Sequence, residues 1–274
     1  MGIDLADLGF SDHNYGSYSE SFAKPYGMIL VTGPTGSGKS TTLYATLNII
    51  SRPEVNVITV EDPVEYRLPN INQVQTNVKA GLTFASALRS ILRSDPDIVL
   101  IGEIRDHETA QIAVEAALTG HLVLSTLHTN DAPSAVTRLT EMGIEPFLVG
   151  SALDCVLAQR LARRLCTKCK EEFTPTRELL VQSRFPWSDG EPLPKLYRPI
   201  GCSMCAKTGY KGRLALHEVM PVSETIERMA VEHASATAIS EVAREEGMVT
   251  LRDDGLAKVL EGVTSLDEIL RVVV

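Results

Sequence analysis

Eight consecutive residues, Gly33-Pro-Thr-Gly-Ser-Gly-Lys39-Ser40, have the types and spacing of a loop that binds nucleotide phosphates. Glycines let backbone N–H groups turn toward phosphate oxygens, and a helix starting at the loop adds favourable partial charge. Lys39 is expected to reach the β- and γ-phosphates, and the Ser40 hydroxyl to bind Mg²⁺. An ordinary glycine turn is the alternative. The predicted nucleotide-binding residues are Gly33, Pro34, Thr35, Gly36, Ser37, Gly38, Lys39, Ser40 and Thr41.

The segments on either side of this loop fit a strand followed by a helix. Residues 28–32 are apolar and rich in β-branched side chains, which is typical of a buried parallel strand. After the loop, Leu43, Leu47 and Ile50 recur at helical spacing. Phosphate binding needs this order of strand, glycine loop and helix, so the context supports the motif.

Acidic residues follow two further predicted strands. The segment Glu61-Asp-Pro-Val-Glu65 comes directly after the apolar stretch 56–60, where carboxylates can hold Mg²⁺ through its waters or orient an attacking water. Glu103 follows the predicted strand 97–101, one residue later than is usual for a metal-site carboxylate. A glutamate so placed suits polarising water for attack on the γ-phosphate. Taken alone, acidic residues after a strand are usually loop residues or helix caps.

Histidines and arginines complete the candidate catalytic set. His128 follows the predicted strand 121–126, where it can sense or contact the γ-phosphate. A histidine hydrogen-bonded within the fold is the alternative for both His128 and His121. An arginine from a neighbouring subunit can neutralise charge on the transferred phosphoryl group, and each candidate is otherwise a structural residue. The candidates are Arg67, Arg89, Arg93 and Arg105.

Two Cys-x-x-Cys pairs, Cys166 with Cys169 and Cys202 with Cys205, predict a metal site. Four thiolates meet the tetrahedral preference of Zn²⁺, and each pair supplies two ligands from one turn. The gap between the pairs exceeds the usual range for compact zinc ribbons, and two redox dithiols are the alternative. A cytosolic chain disfavours stable disulfides. The remaining Cys155 lies in an apolar run and is expected in the core.

Composition and charge limit the class of protein. The chain has 274 residues, of which 44% are hydrophobic and 22% charged, as in ordinary globular proteins. Its apolar runs fall short of the ~20 residues that span a bilayer, and no signal peptide is evident, so we expect a cytoplasmic protein. A net charge of −9 disfavours nucleic-acid binding. A basic run within residues 160–170 is either a solvated face or a partner contact.

Strand-like and helix-like segments alternate from residue 28 onward. This alternation implies right-handed βαβ units and a mostly parallel sheet with helices on both faces. Ligands bind at the carboxyl ends of such strands, so the polar clusters described above should share one site. Prolines and turn residues interrupt the pattern between residues 166 and 210, and residues 218–274 predict short amphipathic helices. Helices in the alternating part are predicted at 41–50, 84–93, 107–118 and 132–142.

With these motifs assembled, the chain resembles the C-terminal half of the secretion-type ATPases, specifically the assembly motors of type II secretion and type IV pili. The resemblance runs from about residue 22 to the end of the chain. Residues 58–65 resemble the aspartate box of the family, residues 88–106 its segment around the catalytic glutamate, and residues 119–131 its histidine box. The phosphate loop and both cysteine pairs also match.

This resemblance implies an α/β fold: a RecA-like P-loop NTPase core with a mostly parallel sheet, a small four-cysteine zinc subdomain and a C-terminal helical subdomain. It implies Glu103 as the catalytic glutamate, Glu61, Asp62 and Glu65 in the aspartate box that orders water or metal, and His121 and His128 in the histidine box. The expected boundaries are 1–26 for a linker remnant, 27–165 for the ATPase core, 166–213 for the zinc-binding insertion and 214–274 for the helical subdomain.

The resemblance also implies a motor that hydrolyses ATP with Mg²⁺ and carries structural Zn²⁺. The full-length protein would form a homo-hexamer at the inner face of the cell membrane, with a platform protein of that membrane as partner. Neither a nucleic-acid partner nor a membrane span is expected. The cysteine pairs favour an extension or secretion motor over a retraction motor.

Family members have N-terminal domains that this chain lacks, so we expect a fragment or a separate domain. Two other functions remain open: a P-loop phosphotransferase, and a zinc-ribbon nucleic-acid-binding module with nucleotide sensing.

Overall fold

The structure, a computed structural model, describes residues 2–273. Its α-helices are α1 (Asp12–Phe22), α2 (Lys39–Ile50), α3 (Phe84–Leu92), α4 (His107–Leu118), α5 (Pro133–Glu141), α6 (Pro146–Ala152), α7 (Arg177–Gln182), α8 (Glu224–Val231), α9 (Ala236–Glu245), α10 (Leu251–Leu260) and α11 (Leu266–Val272). Its strands are β1 (Gly27–Thr32), β2 (Val57–Glu61), β3 (Asn72–Gln75), β4 (Ile98–Ile101), β5 (Leu122–Leu127), β6 (Leu153–Leu165), β7 (Glu171–Phe173), β8 (Leu196–Arg198) and β9 (Tyr210–Pro221).

The main sheet has the strand order β3-β2-β4-β5-β1-β6-β9. Strands β1 to β6 pair in parallel along this order. Strands β1, β2, β4 and β5 are buried along their whole length, which explains their continuous apolar sequences. The predicted α/β fold with a mostly parallel sheet is therefore confirmed. Among the described residues, every helix is too short or too polar to cross a bilayer.

The chain divides into two compact units. The first unit comprises residues up to 159 together with 218–248, and the second comprises 160–217 together with 249–274. The four cysteines, α7, α10 and α11 belong to the second unit, whereas α8 and α9 belong to the first. The region 214–274, expected as one helical subdomain, is thus split, because α8 packs on α6 and α9 packs on α5 of the first unit.

Part of the basic run at residues 160–170 stabilises the second unit from within. Arg163 donates through its Nη2 to the carboxylate of the buried Glu268 at 2.8 Å, and its guanidinium stacks over the ring of Tyr210. Lys170 donates to the carbonyl oxygen of Gly262 at 2.8 Å. Burial alone would raise the pKa of Glu268, but hydrogen bonds from Arg271 and Arg163 outweigh it and lower that pKa to about 2.

An α-helix of 11 residues, α1, lies within the linker expected at residues 1–26. Ser11 caps the amino end of α1 by accepting from the Asn14 backbone N–H. Tyr18 and Phe22 are buried, and Tyr18 stacks on the ring of Phe10 at 5.6 Å. These rings join the core of the first unit beside β1 and α2. Serine and asparagine between the aromatic residues obscure the helical period in the sequence.

Replacement of Tyr18 by alanine tests whether α1 is part of the folded core. We expect Tyr18→Ala to lower the free energy of unfolding by about 3–5 kcal/mol, because it empties a fully buried site. Tyr26→Ala is the matched control, since Tyr26 is 61% exposed and should change stability by less than about 0.5 kcal/mol. Urea unfolding measures both; equal stabilities of the two variants would contradict the packing of α1.

Candidate nucleotide-binding and catalytic site

The glycine loop joins the end of β1 to the start of α2, as its sequence predicts. Gly38 is the N-cap of α2 in the left-handed conformation, with φ at 85°. A Cβ atom on Gly33 would lie 2.5 Å from the carbonyl oxygen of Gln159 and 2.6 Å from the Ser37 hydroxyl oxygen. No side chain fits there, so this close approach requires glycine at the first position of the loop.

Lys39 and Ser40 begin α2, at the positive end of the helix dipole. The Lys39 ammonium donates to the carbonyl oxygens of Gly33 at 2.7 Å and Pro34 at 3.1 Å. These bonds hold the lysine across the mouth of the loop. A phosphate is a stronger acceptor for an ammonium than a neutral carbonyl is, so the lysine is placed to bind an incoming anion.

One cleft of about 690 Å³ brings the phosphate loop together with the carboxyl ends of β2, β4 and β5. The shared edge of a parallel sheet explains this convergence of clusters that are far apart in sequence. The cleft takes in both the predicted phosphate ligands and the predicted acidic residues. The sequence-predicted residues that line it are Thr35, Gly36, Ser37, Gly38, Lys39, Ser40, Thr41, Glu61, Asp62, Glu65, Glu103, Arg105 and His128.

Glu103 lies just after β4 and is held by two neighbouring side chains. Its Oε1 lies 2.7 Å from Nε2 of His128, and its Oε2 accepts from Nε of Arg105 at 2.8 Å. Arg105 also lies over the Phe84 ring at 5.4 Å and 3.5 Å from a carboxylate oxygen of Asp62. The hydrogen bond to Glu103 raises the pKa of the Arg105 guanidinium, so the arginine stays charged. This arrangement fixes the Glu103 carboxylate at the cleft wall.

Glu61 has a different environment, because it is buried at the end of β2. Its carboxylate accepts from the Tyr44 hydroxyl, from the Thr59 hydroxyl at 2.6 Å and from the Gln73 amide at 3.2 Å. Burial, with the Glu61 hydrogen bond, raises the pKa of Tyr44 and keeps its hydroxyl protonated. The Tyr44 oxygen accepts from the backbone N–H of Glu65 at 3.2 Å. Glu61 therefore ties α2, β2, β3 and the following loop together.

The histidine pair is separated by the length of β5. His128 follows the strand and lines the cleft, whereas His121 precedes the strand and its Nδ1 lies 2.9 Å from the Ala116 carbonyl oxygen. Among the four candidate arginines, all within the described residues, Arg105 alone lines the cleft. Arg89 is exposed and pairs with Glu108 at 2.5 Å.

Sequence reasoning missed the polar residues that hold this site in shape. Thr32, the last residue of β1, accepts from the backbone N–H of Thr129 at 2.8 Å and so ties the phosphate loop to the residue after His128. Gln159 on β6 donates to the Ser37 carbonyl oxygen at 2.7 Å. Buried polar residues inside otherwise apolar strands were the one signal available for them.

The four cysteines of the second unit form one cluster, with their sulfur atoms within 4.8 Å of one another. Cys166 and Cys202 have their sulfurs 3.9 Å apart, and Cys205 lies 3.8 Å from both Cys169 and Cys202. Zinc–sulfur bonds of about 2.3 Å in a tetrahedron require sulfurs about 3.8 Å apart, so the donor set fits Zn²⁺.

Backbone N–H groups donate to two sulfurs of this cluster and favour the thiolate form of Cys205, whereas burial raises the pKa of Cys169 to about 11. Those of Cys202 and Gly209 donate to the Cys205 sulfur, each at 3.2 Å, and the N–H of Gly201 donates to the Cys169 sulfur at 3.3 Å. The hydrogen bond from Cys202 is the main cause that lowers the pKa of Cys205 to about 6. Cys155, by contrast, is buried on β6, as expected for a core residue.

Fold, phosphate loop and strand-end carboxylates define the class of P-loop nucleotide-binding proteins. Residues 1–271 match the family described as Type II/IV secretion system protein, and the chain belongs to that family. It is 54% identical over 268 residues to the type IV pilus assembly ATPase PilB of Thermus thermophilus, covering 97% of this chain and 30% of the relative. It is 51% identical over 270 residues to the type II secretion system ATPase E of Vibrio cholerae, covering 98% and 53%.

Solved structures agree with the sequence relatives. The pilus retraction motor PilT with bound ADP superposes with a TM-score of 0.70 at 26% identity, covering 99% of this chain and 67% of that one. The Legionella pneumophila ATPase DotB has the same fold, with a TM-score of 0.70 at 21% identity and coverage of 99% and 65%. The chain spans 30% and 53% of the length of the two curated relatives named above.

Removal of the Tyr44 hydroxyl tests whether the hydrogen bonds of Glu61 stabilise the packing of α2 on β2 and β3. We expect Tyr44→Phe to lower the free energy of unfolding by about 1–3 kcal/mol, because a buried carboxylate loses a donor. Tyr66→Phe is the matched control, since Tyr66 packs against Tyr44 at 4.8 Å but is 44% exposed. Urea unfolding compares the two variants. If Tyr66→Phe lowered the free energy of unfolding as much as Tyr44→Phe does, the stabilising role of Glu61 would be contradicted.

Proposed function

We propose that this chain is the ATP-hydrolysing part of a motor that assembles pilins or pseudopilins, for type IV pilus extension or type II secretion. The observation that carries the proposal is the single cleft that combines the phosphate loop with Glu103. The similarity of the chain to pilus assembly and type II secretion ATPases supports a motor for assembly. The four-cysteine cluster is the feature that we take to distinguish it from retraction motors.

In this proposal the loop binds the phosphates and Glu103 acts on water. The backbone N–H groups of residues 33–41 and the Lys39 ammonium hold the β- and γ-phosphates, and the Ser40 hydroxyl holds Mg²⁺. Bound Mg²⁺ neutralises charge on the phosphate oxygens. The Glu103 carboxylate, oriented by His128 and Arg105, accepts a proton from the attacking water. Glu61 keeps α2 in place through Tyr44, and Glu65 is an exposed carboxylate of the aspartate box that lines the cleft.

We further propose that the chain acts as a homo-hexamer at the cytoplasmic face of the inner membrane, with a membrane platform protein as its partner. The half-exposed Arg105, which is already paired with Glu103, is suited to respond to a neighbouring subunit. The four cysteines hold a structural Zn²⁺ in the second unit. The similarity to the named pilus and secretion ATPases supports this assembly.

Substitution of Glu103 by glutamine tests the catalytic assignment. We expect Glu103→Gln to bind ATP as the unchanged chain does, and to release phosphate about 100-fold more slowly, since the amide cannot accept the proton of water. Glu108→Gln, at an exposed position on α4, is the matched control and should keep full turnover. Phosphate release is measured over a range of protein concentrations, because neighbouring subunits complete the proposed site.

Two results would contradict this function. Full turnover by Glu103→Gln would remove Glu103 as the base. Transfer of the γ-phosphate to a small acceptor, with no release of phosphate to water, would indicate a phosphotransferase instead.

Metal analysis of the purified chain tests the zinc assignment. We expect about one Zn²⁺ per chain, lost on treatment with a chelator and reductant, with a lower melting temperature of the second unit. Cys205→Ser should abolish the bound zinc, whereas Cys155→Ala, which changes a core cysteine outside the cluster, should retain it. Native protein that holds no zinc, with free thiols or with disulfides, would overturn the assignment.

A further inference from the structure

A buried glutamine that does not line the cleft braces the phosphate loop through a hydrogen bond. Gln159 lies on β6, beside Ala158, which pairs with Thr32 of β1. Its Nε2 donates to the Ser37 carbonyl oxygen at 2.7 Å, and its Oε1 accepts from the Thr42 hydroxyl at 2.6 Å. The residue is 2% exposed. One side chain thus connects the loop to the first turns of α2.

We infer that Gln159 is a positioning residue for nucleotide binding, which orients the Ser37–Gly38 peptide so that the Gly38 N–H faces the phosphates. This inference rests on the proposed binding of ATP by the loop. Gln159 would make nucleotide binding more favourable without contacting the nucleotide itself.

Peptide geometry connects the brace to the phosphates. In a trans peptide the C=O and the following N–H lie in one plane and point in opposite directions. Because the Ser37 carbonyl points to Gln159, the Gly38 N–H points away from Gln159. Gly38 lines the cleft, and its φ of 85° is accessible to glycine at little cost. The brace therefore holds one phosphate-binding N–H in place before any ligand arrives.

The primary amide is the side-chain group that suits both contacts. A carbonyl oxygen cannot donate, so the Ser37 oxygen must face the NH₂ group of Gln159, and the Thr42 hydroxyl then donates to the amide oxygen. Glutamate has the same shape but, when ionised, only accepts. It would set an oxygen against the Ser37 carbonyl and disfavour this orientation of the peptide.

The backbone of Gln159 acts on the other end of the loop. Its carbonyl oxygen is the atom that a Cβ on Gly33 would meet at 2.5 Å. Gln159 therefore contacts the loop at both ends, with its backbone at Gly33 and with its side chain at Ser37. A glutamine that served packing alone would contribute volume, and methionine would replace it with little effect on binding.

The test compares Gln159→Glu and Gln159→Met with the unchanged chain, using Mg²⁺-ATP as the probe in titration calorimetry. We expect about tenfold weaker binding for both variants near pH 8, because the Ser37 carbonyl loses its donor. Turnover at saturating ATP should stay within about twofold, since the Gly38 N–H binds ground state and transition state alike.

The pH dependence separates positioning from packing. Burial raises the pKa of a carboxyl at position 159, so its protonated form, which can donate to Ser37, accumulates as the pH falls. Relative to the unchanged chain at the same pH, Gln159→Glu should therefore recover to within about twofold near pH 5.5. Gln159→Met should stay weak at every pH. Gln182→Glu, at an exposed position on α7, is the matched control and should bind normally.

Each outcome decides the inference. Recovery of Gln159→Glu at low pH without recovery of Gln159→Met supports it. Normal binding by both variants, or equal weakness of both at every pH, overturns it. Loss of the folded state in both, seen by circular dichroism, also overturns it, because Gln159 would then serve the fold. Absence of ATP binding by the unchanged chain would instead overturn the proposed function.

Discussion

The direction of the peptide groups between Gly33 and Gly38 is the constraint on which the rest of the site depends. N–H groups face a phosphate more readily when the carbonyl groups of the same loop have partners elsewhere. Gln159 can hold the Ser37 carbonyl with or without a nucleotide, whereas Lys39 occupies the carbonyls of Gly33 and Pro34 until it turns to a bound phosphate. The anion-binding shape is thus present before a ligand binds, which lowers the cost of ordering the loop.

Two glutamates at neighbouring strand ends have opposite environments, and this difference suits two roles. Glu61 is buried and its carboxylate is surrounded by donors from α2, β2 and β3. Glu103 lies at the cleft wall, where, among residues 2–273, the side chains of His128 and Arg105 restrain it. A fixed carboxylate can maintain geometry, whereas one held by exposed partners can exchange a partner for water. The parallel sheet makes this division possible because it delivers both residues to one edge.

Much of this architecture follows from the sequence, since buried parallel strands and a glycine loop have strong local signals. The expected helix at 107–118 agrees with the observed α4 (His107–Leu118), and the strand expected at 97–101 with β4. Helix α1 has no clear apolar period in the sequence, because serine and glutamate separate its buried aromatic rings. The split of residues 214–274 between two units depends on packing of α8 and α9, which has no local signature.

In the candidate site, too, some residues could be predicted from the sequence and others could not. Residues that line the cleft lie mostly in motifs and were predictable, including the distant Glu103 and His128. The residues that orient them, such as Tyr44, Thr32 and Gln159, act through single long-range hydrogen bonds. A glutamine inside an apolar strand has no spacing rule that reveals its partner. Three-dimensional pairing, and not residue type, determines such roles.

Calorimetric titration of Mg²⁺-ATP into the folded chain measures whether this loop holds the triphosphate. We expect saturable uptake of about one nucleotide per chain, abolished by Lys39→Ala and retained by Lys79→Ala, which removes an exposed lysine that does not line the cleft. Uptake that Lys39→Ala leaves unchanged, or no uptake by the unchanged chain, would contradict it.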